Sequence, residues 1–188
     1  METVTEIFSL ICGQGRCFAA GAAELPLCQR CLGLYMGAAL TASWLTASGA
    51  WRSGLPGRGI IIADSAALAA ALLGGLHVLD FGPAWRTACG AWTGHVAVFW
   101  LSCAAAAAWP HFRVPWPRLR GHETQNIQAA LALAAVTAVA LAIEHLLPLG
   151  WRFWTAVAAF GMMFCLAAAA LAAAALVRRL IPAAPAAA

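Results

Sequence analysis

The chain has 188 residues, of which 63% are hydrophobic and only 10% charged. A soluble domain carries about 25% charged residues, so a water-facing globular surface is excluded and a polytopic membrane protein of one domain is expected. The +4 net charge comes from eleven arginines and no lysine, scattered through short loops without the long basic tract that nucleic acid would require.

The N-terminal segment, residues 1–31, is rich in cysteine. Its apolar stretch at residues 4–11 makes only two or three helical turns, enough for an interfacial helix followed by a loop. No cleavable signal peptide is expected, because Glu2 and Glu6 fall where a basic region would stand. From Cys12 to Gly37 the chain reads CGQGRCFAAGAAELPLCQRCLGLYMG, with four of the seven cysteines beside Gln14, Arg16 and Arg30.

A five-span helical membrane domain is expected over residues 32–181. A span needs about 20 mostly apolar residues, and the stretches 32–49, 59–79, 88–109, 127–147 and 153–177 meet or approach that length. Breakers separate them: Gly54, Pro56 and Gly57; Gly82 and Pro83; Pro110, Pro115 and Pro117; Pro148 and Gly150. Residues 182–188 form an Ala/Pro tail expected to be disordered. Trp44, Trp51, Trp85, Trp109, Trp116 and Trp151 fall at span ends, as interfacial anchors do.

Arginine asymmetry gives an orientation. Arg16, Arg30, Arg86 and Arg152 would share one face, against seven arginines on the other. The positive-inside rule then puts the N-terminus and the cysteines outside the cytoplasmic membrane and the C-terminus in the cytoplasm. With this topology the polar residues gather at the outer level. His77 and Asp80 end the second span, Arg86 follows in the connection, His95 lies two turns into the third span, and Glu144 and His145 end the fourth. Asp64, near the inner end of the second span, is the main exception. Ionisable groups in a membrane are costly and mark functional cavities, so His77, Asp80, Arg86, His95 and Glu144 are candidate catalytic residues. The pairs Gly33/Gly37 and Gly90/Gly94 predict a close crossing of the first and third spans near the cysteines.

Three chemistries fit the cysteines. Cys12, Cys17, Cys28 and Cys31 have the spacing of a four-thiolate metal site, with Zn²⁺ the default. Cys28-Gln-Arg-Cys31 at a helix mouth also has the form of a disulfide-exchange pair, which in a membrane would couple to a quinone. Structural disulfides in an oxidising compartment are the third. Cys89, Cys103 and Cys165 are expected to pack as small hydrophobes, and His111 and His122 to be solvated. Asp80 and Arg86 form either an ion pair closing their loop or a grip on a polar substrate.

These residues carry a resemblance. The chain resembles a family of small prokaryotic membrane proteins catalogued as a domain of unknown function, whose signature runs Cys-His-Gln, Arg-Ser-Phe, then Leu-Pro-x-Cys-x-Arg-Cys-x-Gly-x-Tyr-x-Gly. The matching residues are Cys12, Gln14, Arg16, Phe18, Leu25, Pro26, Cys28, Arg30, Cys31, Gly33, Tyr35 and Gly37, with Asp80, Arg86, Gly90 and Gly94 in a less specific second block. The match covers roughly residues 10–100 and implies no established activity. Gly13 stands where the family has His, and Cys17 where it has Ser. If the family site is three Cys and one His, the resemblance implies that Cys17 replaces the His as fourth ligand. The reading favoured by the sequence is a membrane protein with a cysteine-held metal at its outer face. A quinone-coupled thiol oxidoreductase using Cys28 and Cys31 is one alternative. A non-catalytic subunit packed on a larger membrane protein complex is the other.

Overall fold

The computed structural model describes residues 18–20, 23–25, 27–49, 57–76, 78–108, 122–142 and 150–180. A small antiparallel hairpin comes first, β1 (Phe18–Ala20) with β2 (Ala23–Leu25), pairing Phe18 with Leu25 and Ala20 with Ala23. It falls where a loop was expected, and the interfacial helix expected at residues 4–11 lies outside the described residues. Strands this short carry no hydrophobic period long enough to read in sequence.

Five helices follow among the described residues: α1 (Gln29–Ser48), α2 (Arg58–Gly75), α3 (Pro83–Ala108), α4 (His122–Leu141) and α5 (Trp151–Leu180). Each overlaps one of the five apolar stretches, and local chemistry sets several ends. The Cys28 sulfur caps α1 by accepting the Cys31 N–H at 3.4 Å. Gly49, at φ 66°, ends the same helix and returns its N–H to the Leu45 carbonyl, a left-handed cap that glycine adopts without steric cost. Pro83 opens α3, where its missing N–H would have had no helical partner. The second span ends at Gly75 instead of continuing to residue 79, so Asp80 lies in the connection to α3 and not on the helix.

Among the described residues, three stretches are long and apolar enough to cross a membrane: Arg58–Gly75, Pro83–Ala106 and Arg152–Ala174. In α4 the described apolar stretch is the shorter Ala129–Leu141. Helix α1 is not among the three, and its packing gives the reason. It lies at the centre of the bundle, against α3, α5 and α4, with ten of its 20 residues buried. A helix screened by its neighbours can carry Gly33, Tyr35, Gly37 and Thr41 without exposing them to an apolar solvent.

The predicted glycine crossing is present. A Cβ on Gly33 would overlap the Thr87 carbonyl, one on Gly90 the Arg30 carbonyl, and one on Gly94 the Leu34 carbonyl. The register shows α1 and α3 running parallel, backbone against backbone. On another side of α1, Gly161 of α5 lies against Tyr35 equally closely. The helix α2 runs antiparallel to α3, Asp64 meeting Trp100 at one end and Gly74 meeting Cys89 at the other. In α4, Thr137 accepts the Trp92 indole N–H at 2.8 Å, a polar tie to α3. The N-terminal ends of α1, α3 and α5 therefore share one end of the bundle with the C-terminal ends of α2 and α4.

Outside, the molecule is apolar: Ile62 on α2, Leu131 on α4, and Met163, Leu166 and Leu171 on α5 are all more than half exposed. Inside it buries Thr41, Asp64, Thr87 and His95. This inversion is compatible with a lipid environment.

Candidate functional site

The cysteine end is built on the first turn of α1. Cys28 is buried and Cys31 half-buried, the latter packed beside a small cluster of Leu27, Tyr35 and Ala158 that joins α1 to α5. The N–H of Cys31 is directed at the Cys28 sulfur, at the positive end of the helix dipole. Metal ligation and disulfide exchange both use an anionic sulfur. Cys12 and Cys17, the other two expected ligands, lie outside the described residues, as do Gln14, Arg16, His77, Glu144 and His145. Among the described residues no three His, Cys, Asp or Glu side chains gather into a metal-binding group.

Two arginines of this end are occupied within the fold. Arg30 reaches from α1 to the C-terminus of α2, donating to the Gly74 carbonyl and, at 3.2 Å, to the Gly75 carbonyl. A helix end leaves such carbonyls without helical donors, and a cation also suits the negative end of the helix dipole. Arg86, on the first turn of α3, is forked by Asp80: its Nε lies 3.0 Å from both carboxylate oxygens, and its terminal nitrogen donates to Oδ2 at 2.6 Å. Asp80 Oδ1 also accepts the Gly82 N–H at 3.2 Å, which shapes a turn whose Gly82 φ is 103°. Of the two expected roles for this pair, the geometry is that of loop closure.

His95 corrects the outer-layer reading. It lies nine residues beyond Arg86, about 13 Å deeper along the helix, and it meets Asp64 instead of the cysteine end. Its Nδ1 is 2.8 Å from the Thr41 hydroxyl of α1, and its Nε2 is 3.8 Å from Asp64 Oδ1 of α2. Asp64 Oδ2 accepts the Trp100 indole N–H at 3.0 Å. Phe99 stacks flat on the imidazole, with ring centroids 5.8 Å apart and planes within 9°. Thr41 and Trp100 have no counterpart in the sequence reading, and Asp64 stood there as an exception. A signal was nonetheless present. Counted from the shared turn, Asp64 lies eleven residues before Gly75 and His95 twelve after Pro83. At 1.5 Å per residue these are depths of about 16 and 18 Å, nearly equal.

Cys89 and Cys103 are buried, and Cys103 joins Val98, Phe99, Ala38 and Leu45 in a core cluster with Cys165 packed against it. They behave as the small hydrophobes expected of them.

The chain matches no family model, no curated protein and no solved structure. Function has to be argued from the side chains.

Proposed function

We propose that this is a five-span protein of the cytoplasmic membrane. Its outer face holds a metal ion, Zn²⁺ by default, on Cys12, Cys17, Cys28 and Cys31. The observation carrying this reading is the Cys31 N–H donated to the Cys28 sulfur at the head of α1. It fixes the C-x-x-C turn and supplies positive potential to a sulfur that must be anionic to bind metal. Four thiolates make a closed tetrahedral site, so the metal would tie the N-terminal segment to the bundle as a structural clamp. The membrane placement is supported by the apolar exterior and by the up-and-down order of the helices. The matching depth of Cys28, Arg30, Asp80 and Arg86 supports a single polar end.

The quinone-coupled thiol exchange alternative draws on the same turn. A groove of about 420 Å³ between α1 and α4 is lined by Leu40, Trp44, Ser48, Leu131, Val136 and Val139 among others, and is apolar enough for a quinone. Its α1 wall begins twelve residues, about 18 Å, from Cys28, while its α4 wall reaches Val139, beside the cluster of Leu32 and Met36.

Elemental analysis with thiol counting on intact protein, purified reduced and without chelator, tests the reading. One zinc per chain with four thiols released on chelation supports it. Protein without stoichiometric metal overturns it. A titratable Cys28–Cys31 disulfide in its place moves the assignment to the oxidoreductase.

A further inference from the structure

The pair at the middle of the bundle has open valences that face each other. Asp64 and His95 are both almost wholly buried, at 2% and 0% side-chain exposure. Each has one polar atom engaged, Oδ2 by Trp100 and Nδ1 by Thr41. The remaining two, Oδ1 and Nε2, have no hydrogen-bond partner and stand 3.8 Å apart. That is roughly 1 Å longer than a hydrogen bond. Buried polar atoms are nearly always satisfied, so an open pair calls for a ligand that fits between two atoms.

We propose that Asp64 and His95 form one membrane-embedded proton-binding site. A proton is the ligand whose needs the two atoms meet. Zinc takes four ligands and magnesium or calcium six or more, whereas no third metal-binding side chain joins the pair among the described residues. In the neutral tautomer that donates Nδ1–H to Thr41, Nε2 is an acceptor aimed at a carboxylate oxygen. Two acceptors repel, which accounts for the open gap in that tautomer. A proton passed from hydronium onto Oδ1 turns the carboxylate into a neutral acid whose O–H points at Nε2. One O–H bond of the hydronium breaks as the new O–H forms, and a water molecule is left behind.

The fold allows the gap to close. Only Ile60, Asp64, Ala71 and Gly74 of α2 are buried, and the helix leans chiefly on α3. An approach of about 1 Å by α2 would complete the hydrogen bond, so proton binding would draw α2 onto the bundle. Other titratable groups around the pair are few. Helix α1 contributes only Thr41, α3 contributes Cys103, and α5 contributes Cys165 in the adjoining cluster. The described side chains of α4, from Ile127 onward, contribute none, and the charged neighbour on α2 is Arg58, six residues or about 9 Å away.

Difference infrared spectroscopy of the full chain in lipid nanodiscs, recorded while the pH is lowered, tests the site. A carboxylic acid C=O band should appear on acidification, vanish in Asp64→Asn, and shift its midpoint by about one pH unit or more in His95→Gln. The chain has other carboxylates, so the variants make the assignment. If Asp64→Asn does not fold, Trp100→Phe serves, because it removes only the donor to Oδ2 and must also move the midpoint. A band that persists unchanged in Asp64→Asn, or a midpoint indifferent to both His95→Gln and Trp100→Phe, overturns the proposal. So does a midpoint that follows sodium or zinc concentration, which would make this a metal-cation site.

Discussion

Gly94 of α3 lies against the Leu34 carbonyl of α1, and no methyl group fits between them. The same holds for Gly33 against Thr87. Parallel helices this close gain dispersion contacts along their whole crossing, which matters where lipid removes the hydrophobic drive for association. Because the clashing atoms are backbone, a new side chain cannot be accommodated by a rotamer change. Gly94→Ala and Gly33→Ala should each cost about 2–3 kcal/mol in reversible unfolding from detergent micelles. Gly59→Ala, with nothing within 4 Å of the new Cβ, should be neutral. Equal behaviour of all three would contradict the crossing.

Arg30 joins the cysteine turn to α2 through the Gly74 and Gly75 carbonyls. Arg30→Met removes both donors and leaves the helix end uncapped, at a cost of about 1.5 kcal/mol. Hydrogen exchange should locate the effect, with amides at residues 72–76 exchanging about tenfold faster while those of α5 are unchanged.

For Asp80, two variants separate the ion pair from the turn. Asp80→Asn keeps an oxygen for the Gly82 N–H and gives up the charge on Arg86. A partly exposed pair of this kind is worth about 0.5–1 kcal/mol, and thermal unfolding at raised salt should shrink the difference from wild type. Asp80→Ala also loses the bond to Gly82 and should cost about 1 kcal/mol more. If the two variants melt together, the Gly82 contact contributes nothing.

At Cys28, capping and ligation can be told apart. Serine is a good helix cap, so Cys28→Ser should lose bound zinc while melting, in chelator, at the wild-type temperature. Cys28→Ala should lose the zinc and about 1 kcal/mol of stability besides.

Orientation is testable with the C-terminus. With five spans and the N-terminus outside, a fluorescent protein fused after residue 188 should fold and fluoresce in the cytoplasm, while a periplasm-active phosphatase fused there should be silent. The reverse pattern would put the cysteines on the cytoplasmic face, where a structural disulfide is not expected.

Helix positions were legible because their causes are local. Apolar runs of about 20 residues, Pro and Gly breakers and small-residue pairs appear in any window that contains them, and the helices fall on those runs within a few residues. The glycine crossing was readable for the same reason: two four-residue spacings identify two faces that need close neighbours. Asp80 and Arg86 are close in sequence, so their pairing was one of two local readings.

The sequence by itself determined the five helices of the described residues, their breaks and the glycine faces by which α1 and α3 meet. It also concentrated four cysteines ahead of α1, and the chemistry at Cys28 and Cys31 is still best read from that spacing. Only the tertiary structure decided that Arg30 spends its donors on α2, that α1 is the shielded centre, and that His95 leaves the outer layer for Asp64. Those outcomes depend on the rotation of each helix about its axis and on the depth at which one lies against another. Packing between residues thirty or more positions apart sets both, and no hydrophobic period records it.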